Sequence, residues 1–87
     1  MTKTGEWRSL RQRLEGLRRT VASRIENYPP PIPACDEQFN YLLELRRLLP
    51  GELARLDRAA SDGAGSAEDF IRTSPVKDAL EKSTAES

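Results

Sequence analysis

Eighty-seven residues allow one small domain, and a chain of this length buries only about 60 to 65% of the surface its unfolded form exposes. One cysteine and no histidine exclude an intrachain disulfide and the common structural zinc sets. Fourteen Lys/Arg cancel fourteen Asp/Glu, which argues against the strongly basic balance usual in a nucleic-acid-binding domain.

Small scaffolds usually gain stability from a disulfide, a metal or a partner subunit. With the first two excluded, a partner subunit is the expected source. There is no leading apolar stretch and no apolar run of about 18 residues, so the reading is a cytoplasmic chain with no membrane contact. The Arg-rich first residues resemble a mitochondrial presequence, but Glu6 and Glu15 interrupt them and an ordinary surface helix is the simpler account.

Taken in chain order, residues 5–27 read as a helix. Trp7, Leu10, Leu14, Leu17, Val21 and Tyr28 recur at spacings of three and four, with Arg24 standing at a seam position and Ile25 beside it. The seam is narrow, and Gly16, about 1 kcal/mol worse than Ala in a helix interior, argues against a long isolated coiled coil. Residues 1–24 carry seven Lys/Arg against two Glu, and Arg8, Arg11, Arg18 and Arg19 are candidate contacts for an anion or a nucleic-acid backbone.

Pro29, Pro30, Pro31 and Pro33 then forbid helix and favour extended backbone, so residues 28–35 form a stiff connection. It is long enough to reverse the chain, with Cys35 or Asp36 as the cap of the next helix. A rigid corner is the preferred reading of this stretch. Its functional alternative is recognition by an aromatic-lined groove through Tyr28, Pro30 and Pro33. Cys35 reads as a small buried packing residue, with a reactive thiol at a helix N-terminus as the alternative.

Residues 36–61 read as the second helix. Phe39, Leu42, Leu49, Leu53, Leu56 and Ala60 mark one side, while Tyr41, Leu45 and Leu48 widen it beyond what one neighbouring helix covers. Pro50-Gly51 predicts a kink or break near Leu49, because proline lacks the backbone donor and its ring clashes with the preceding turn. The candidate partner interface is therefore Phe39, Tyr41, Leu42, Leu45, Leu48, Leu49 and Leu53.

Residues 62–87 read as a flexible linker and tail, separate from a hairpin domain at 1–61. SDGAGSAED is too rich in Gly, Ser and Ala to pack a core, and few large apolar residues follow it. Ser66 with Asp69 resembles a capping box, and Ser74-Pro75 resembles an N-cap with proline at the first helical position, so short weak helices are expected. Removal of residues 63–87 is expected to leave the hairpin folded. Ser74-Pro75-Val76-Lys77 also matches the short, common pattern of a proline-directed phosphorylation site.

No catalytic residue, metal ligand or cofactor site is expected. Histidine is absent, no phosphate-cradling glycine loop appears, and the carboxylate pairs Asp36/Glu37 and Glu68/Asp69 diverge by about 100° on a helix. The fold expectation is all-α: an antiparallel helical hairpin completed to a bundle by oligomerisation, as a dimer or tetramer, or by a helical partner protein. The functional expectation is a noncatalytic interaction or assembly module, an accessory subunit of a larger enzyme complex. A nucleic-acid-associated regulator using the arginine helix is the alternative.

Overall fold

The first helix, α1, spans Lys3–Glu26 and buries one seam: Trp7, Leu10, Leu14, Leu17 and Val21 are all buried. The computed structural model describes residues 3–63 and 65–86, with side chains from residue 6 to residue 82 apart from position 64. Arg11, Arg18 and Arg19 lie off the seam because neighbouring positions on a helix are about 100° apart. The helix stops where donors run out. Asn27 still reaches back to the Ser23 carbonyl at 3.0 Å, and the prolines that follow have no N–H to continue the ladder.

The second helix, α2, spans Glu37–Asp62. Asp36 caps it from an extended backbone, its carboxylate accepting the Phe39 N–H at 3.0 Å. At the far end Gly63 sits in the left-handed region at φ 67°, and its N–H closes on the Ala59 carbonyl at 3.0 Å. The chain does not break at Pro50: α2 continues through Pro50 and Gly51. Both Pro50 and Arg46, whose carbonyl loses its donor, are solvent-exposed, so water can take the missing bond. Leu49 and Leu56, buried on either side of the proline, hold the two halves to the same core.

The two long helices pack as an antiparallel hairpin: Arg11 near the start of α1 meets Asp57 near the end of α2, while Tyr28 meets Phe39 at the opposite end. The molecule measures 47 × 23 × 18 Å, so its long dimension follows the hairpin. Among the described residues it is all-helical.

The segment after Gly63 differs from the tail expected of it. Two short helices, α3 (Ala67–Arg72) and α4 (Lys77–Glu86), pack against α1, and Phe70, Val76, Ala79 and Leu80 are buried in the same cluster as the hairpin leucines. Phe70 stands edge-on to Trp7 with ring centroids 6.2 Å apart. The apolar residues of this segment are few, but α3 and α4 bring them into the core alongside α1. Ser66 caps α3 by accepting the Asp69 N–H at 3.1 Å, as its spacing predicts.

Ser74 makes the capping bond its spacing predicts, in the turn that leads into α4, and a second bond besides. Its hydroxyl accepts the Val76 N–H at 3.1 Å and donates to Glu52 Oε1 at 2.8 Å, across to α2. Glu52 is only 6% exposed and also accepts two guanidinium bonds from Arg55, at 3.0 and 3.1 Å. A carboxylate so deeply placed needs such partners to offset lost hydration. Arg55 in turn lies 3.8 Å over the Phe70 ring and donates to the Phe70 carbonyl at 3.2 Å. This polar knot joins α2 to α3 and to the turn before α4.

Candidate interaction surface

The corner between the helices is built on one hydrogen-bonded pair. The Tyr28 hydroxyl lies 2.9 Å from each carboxylate oxygen of Asp36, and the Tyr28 ring meets the Phe39 ring edge-on at 4.9 Å. Asn40 donates to the Ala34 carbonyl at 3.1 Å, and the Asp36 N–H reaches the Pro33 carbonyl at 3.1 Å. Residues 28–36 are thus tied at both ends, and the Pro30–Pro31 peptide bond is cis. Pro30 and Pro33 remain exposed, as does Ile32. Cys35, expected to be buried, is exposed at the same corner, because the turn that lets Asp36 cap α2 faces the preceding residue outward.

The corner's electrostatics follow from those bonds. The Asp36 carboxyl is held below its ordinary value, chiefly by the Phe39 N–H and then by the Tyr28 hydroxyl. Partial desolvation, and then the Asp36 carboxylate, raise Tyr28 above the ordinary tyrosine value of 10.0. For Asp36 the folded value lies below the unfolded one, so its stabilisation is present above the ordinary carboxylate range and is lost as pH falls through the lowered value. Tyr28 has the opposite sense: its contribution is present below the ordinary tyrosine range and disappears as pH rises through the raised value. Asp36→Asn keeps a capping oxygen but no titrating charge. Its melting temperature should therefore fall below wild type at neutral pH and converge with it toward about pH 2. A gap that stays constant in thermal melts across this range would show that the charge of Asp36 plays no part.

The seven residues expected to form a partner interface separate into two groups. Leu42, Leu45 and Leu49 are buried within the chain itself, facing α1 and the shared core. Phe39, Leu48 and Leu53 are half-buried, and Tyr41 is 41% exposed. The width of α2, from which another subunit is expected, is covered in part by α1 together with the segment after Gly63. Sequence spacing placed these leucines on the correct helix but could not show that a Gly/Ser-rich linker returns the chain over them.

The arginines behave differently from one another. Arg11 pairs with Asp57 at 2.7 Å and with Glu15 at 3.7 Å, whereas Arg8, Arg18 and Arg19 are exposed and make no ion pair among the described residues. Within α2, Glu44 pairs with Arg47 and Glu52 with Arg55. Glu52, Arg55 and Ser74 are the residues that sequence reasoning missed as a unit. Glu52 does fall on the stripe with Leu45, Leu49 and Leu56, a carboxylate on an apolar face, and that was the available signal.

Among the described residues no group of His, Cys, Asp or Glu could hold a metal ion, and no helix is long and apolar enough to cross a membrane. Comparison with family models, with curated proteins and with solved structures finds no match to this chain.

Proposed function

We propose that the chain is a noncatalytic protein–protein interaction module, an accessory subunit that offers the tip of its hairpin to a larger cytoplasmic partner. The observation that carries this reading is the braced corner: Tyr28, Asp36 and Phe39 hold residues 28–36 in place while Ile32 and Tyr41 stay exposed. They are the exposed large hydrophobic residues among the described ones. A loop already fixed in shape loses little conformational freedom on binding, and exposed aliphatic and tyrosine side chains suit the apolar centre of an interface.

Self-assembly through the leucines of α2 has less support, since Leu42, Leu45 and Leu49 have partners inside the chain. The nucleic-acid alternative rests on Arg8, Arg18 and Arg19, with Arg11 already committed to Asp57. The test is purification of the tagged chain from its native cell in moderate and high salt. A complex of fixed stoichiometry should survive the salt, disappear with Ile32→Asp and Tyr41→Asp, and persist with Arg8→Glu. Circular dichroism should show the tip variants still folded, since both side chains are exposed. A folded monomer with no companion, a dimer of the chain alone in sedimentation equilibrium, or a nucleic-acid complex lost in salt would each overturn the proposal.

A further inference from the structure

Arg24 flanks the apolar seam of α1, which runs through Leu14, Leu17 and Val21 and continues at half-buried Ile25. At that point the structure has a half-open pocket of about 120 Å³, where α1, α2 and α4 meet. Its floor is apolar, made by the buried side chains of Leu17, Val21, Leu42 and Leu45. Exposed Arg24 comes to it from α1 and exposed Lys82 from α4. Gln38 and Tyr41 contribute uncharged polar groups from α2.

The charge at this pocket is one-sided. No carboxylate is among its described lining residues. Neither Arg24 nor Lys82 takes part in an ion pair or hydrogen bond among the described residues, in contrast to Arg11, Arg47, Arg55 and Arg72. Two cations with no ion pair among the described residues, beside an apolar floor, make a complementary setting for a molecule with one anionic end and one apolar end. The volume limits the apolar end, since a buried apolar cavity of about 150 Å³ is known to admit a benzene ring.

We propose that this pocket binds a small monocarboxylate with a compact apolar body, an aromatic ring or a branched alkyl group, its carboxylate held between Arg24 and Lys82. The planar guanidinium of Arg24 can meet both carboxylate oxygens, and the ammonium of Lys82 adds a second charge-assisted donor. An inorganic anion would leave the floor unfilled, and a neutral analogue would leave the cations unmatched. Part of the ligand stays in water because the pocket is half-open, so the affinity belongs in the range of about 0.1 to 10 mM. The inference is independent of the partner reading, although Tyr41 belongs to both surfaces.

Heteronuclear NMR of the full chain, titrated with phenylpropionate at low salt, tests it directly. Saturable shifts are expected at backbone amides in 17–24, 38–45 and 79–82, with the rest of the spectrum unchanged. Arg24→Gln should weaken binding by roughly tenfold, Lys82→Gln by less, and Arg8→Gln on the opposite flank not at all. Phenylpropanol, the neutral alcohol of the same shape, should bind at least roughly tenfold more weakly to the unaltered protein. Absence of saturable shifts in these segments, equal binding of acid and alcohol, or undiminished binding by the Arg24→Gln/Lys82→Gln double variant would overturn the proposal. The acid and alcohol comparison decides the matter even if a variant fails to fold.

Discussion

Removal of residues 64–87 should abolish cooperative folding of the hairpin that remains. The deletion takes Phe70, Val76, Ala79 and Leu80 out of the core and uncovers the flank of α1 they occupy. Burial of Phe70, Val76 and Leu80 alone, at about 1.5 to 3 kcal/mol each, amounts to roughly 5 to 9 kcal/mol. A chain of this size has only about 4 to 13 kcal/mol of net stability, from roughly 0.05 to 0.15 kcal/mol per residue. The deletion also strips Glu52 of the Ser74 hydroxyl and leaves the Arg55 guanidinium without the Phe70 ring. Urea melts followed by circular dichroism should show a broad, early transition or none. A sharp transition near the wild-type midpoint would restore the view that the segment is dispensable, which its composition had suggested.

Leu49→Asp should be the most damaging single substitution in α2. Leu49 is 0% exposed, and a carboxylate there would be buried within one turn of Glu52, another acid already occupied with Arg55 and Ser74. Burying an unpaired charge is costly enough that the protein instead protonates it or unfolds. Leu49→Ala, which leaves a cavity but no charge, should destabilise by about 2 to 5 kcal/mol, and the aspartate variant by more. The same substitution at exposed Tyr41 should leave the fold intact, which separates burial from mere insertion of charge into α2. Comparable denaturation midpoints for Leu49→Asp and wild type would show that the core has been misplaced.

Much of the hairpin was legible in the sequence because its information is local. The period of Trp7, Leu10, Leu14, Leu17 and Val21 names the buried face of α1 without reference to any other residue. Asp36 and Ser66 cap the helices that follow them through bonds three residues away, so their roles can be read from spacing. Pro50 signalled a kink or a break, and of these the break does not occur. In isolation it marks a break, but it lies on the exposed side of a helix whose opposite side is fixed by Leu49 and Leu56, and tertiary contacts override the penalty.

The candidate surface was less legible, because exposure is a property of the whole fold. Spacing identified α2 as unusually apolar, yet it could not divide Leu42, Leu45 and Leu49 from Tyr41; that division depends on where α1 and α4 lie. Arg24 was visible from its spacing against the seam, whereas the pocket beside it exists only because α4 brings Ala79 and Lys82 alongside. The sequence by itself determined two long helices, the proline interruption between them, a cap at Cys35 or Asp36 and the inward face of α1, all consequences of interactions within a few residues of the chain. Only the tertiary structure decided that the last quarter of the chain belongs to the core. Phe70, Val76 and Leu80 are too sparse to define a face of their own, and they become buried through contacts with an α1 surface that lies many residues away in sequence.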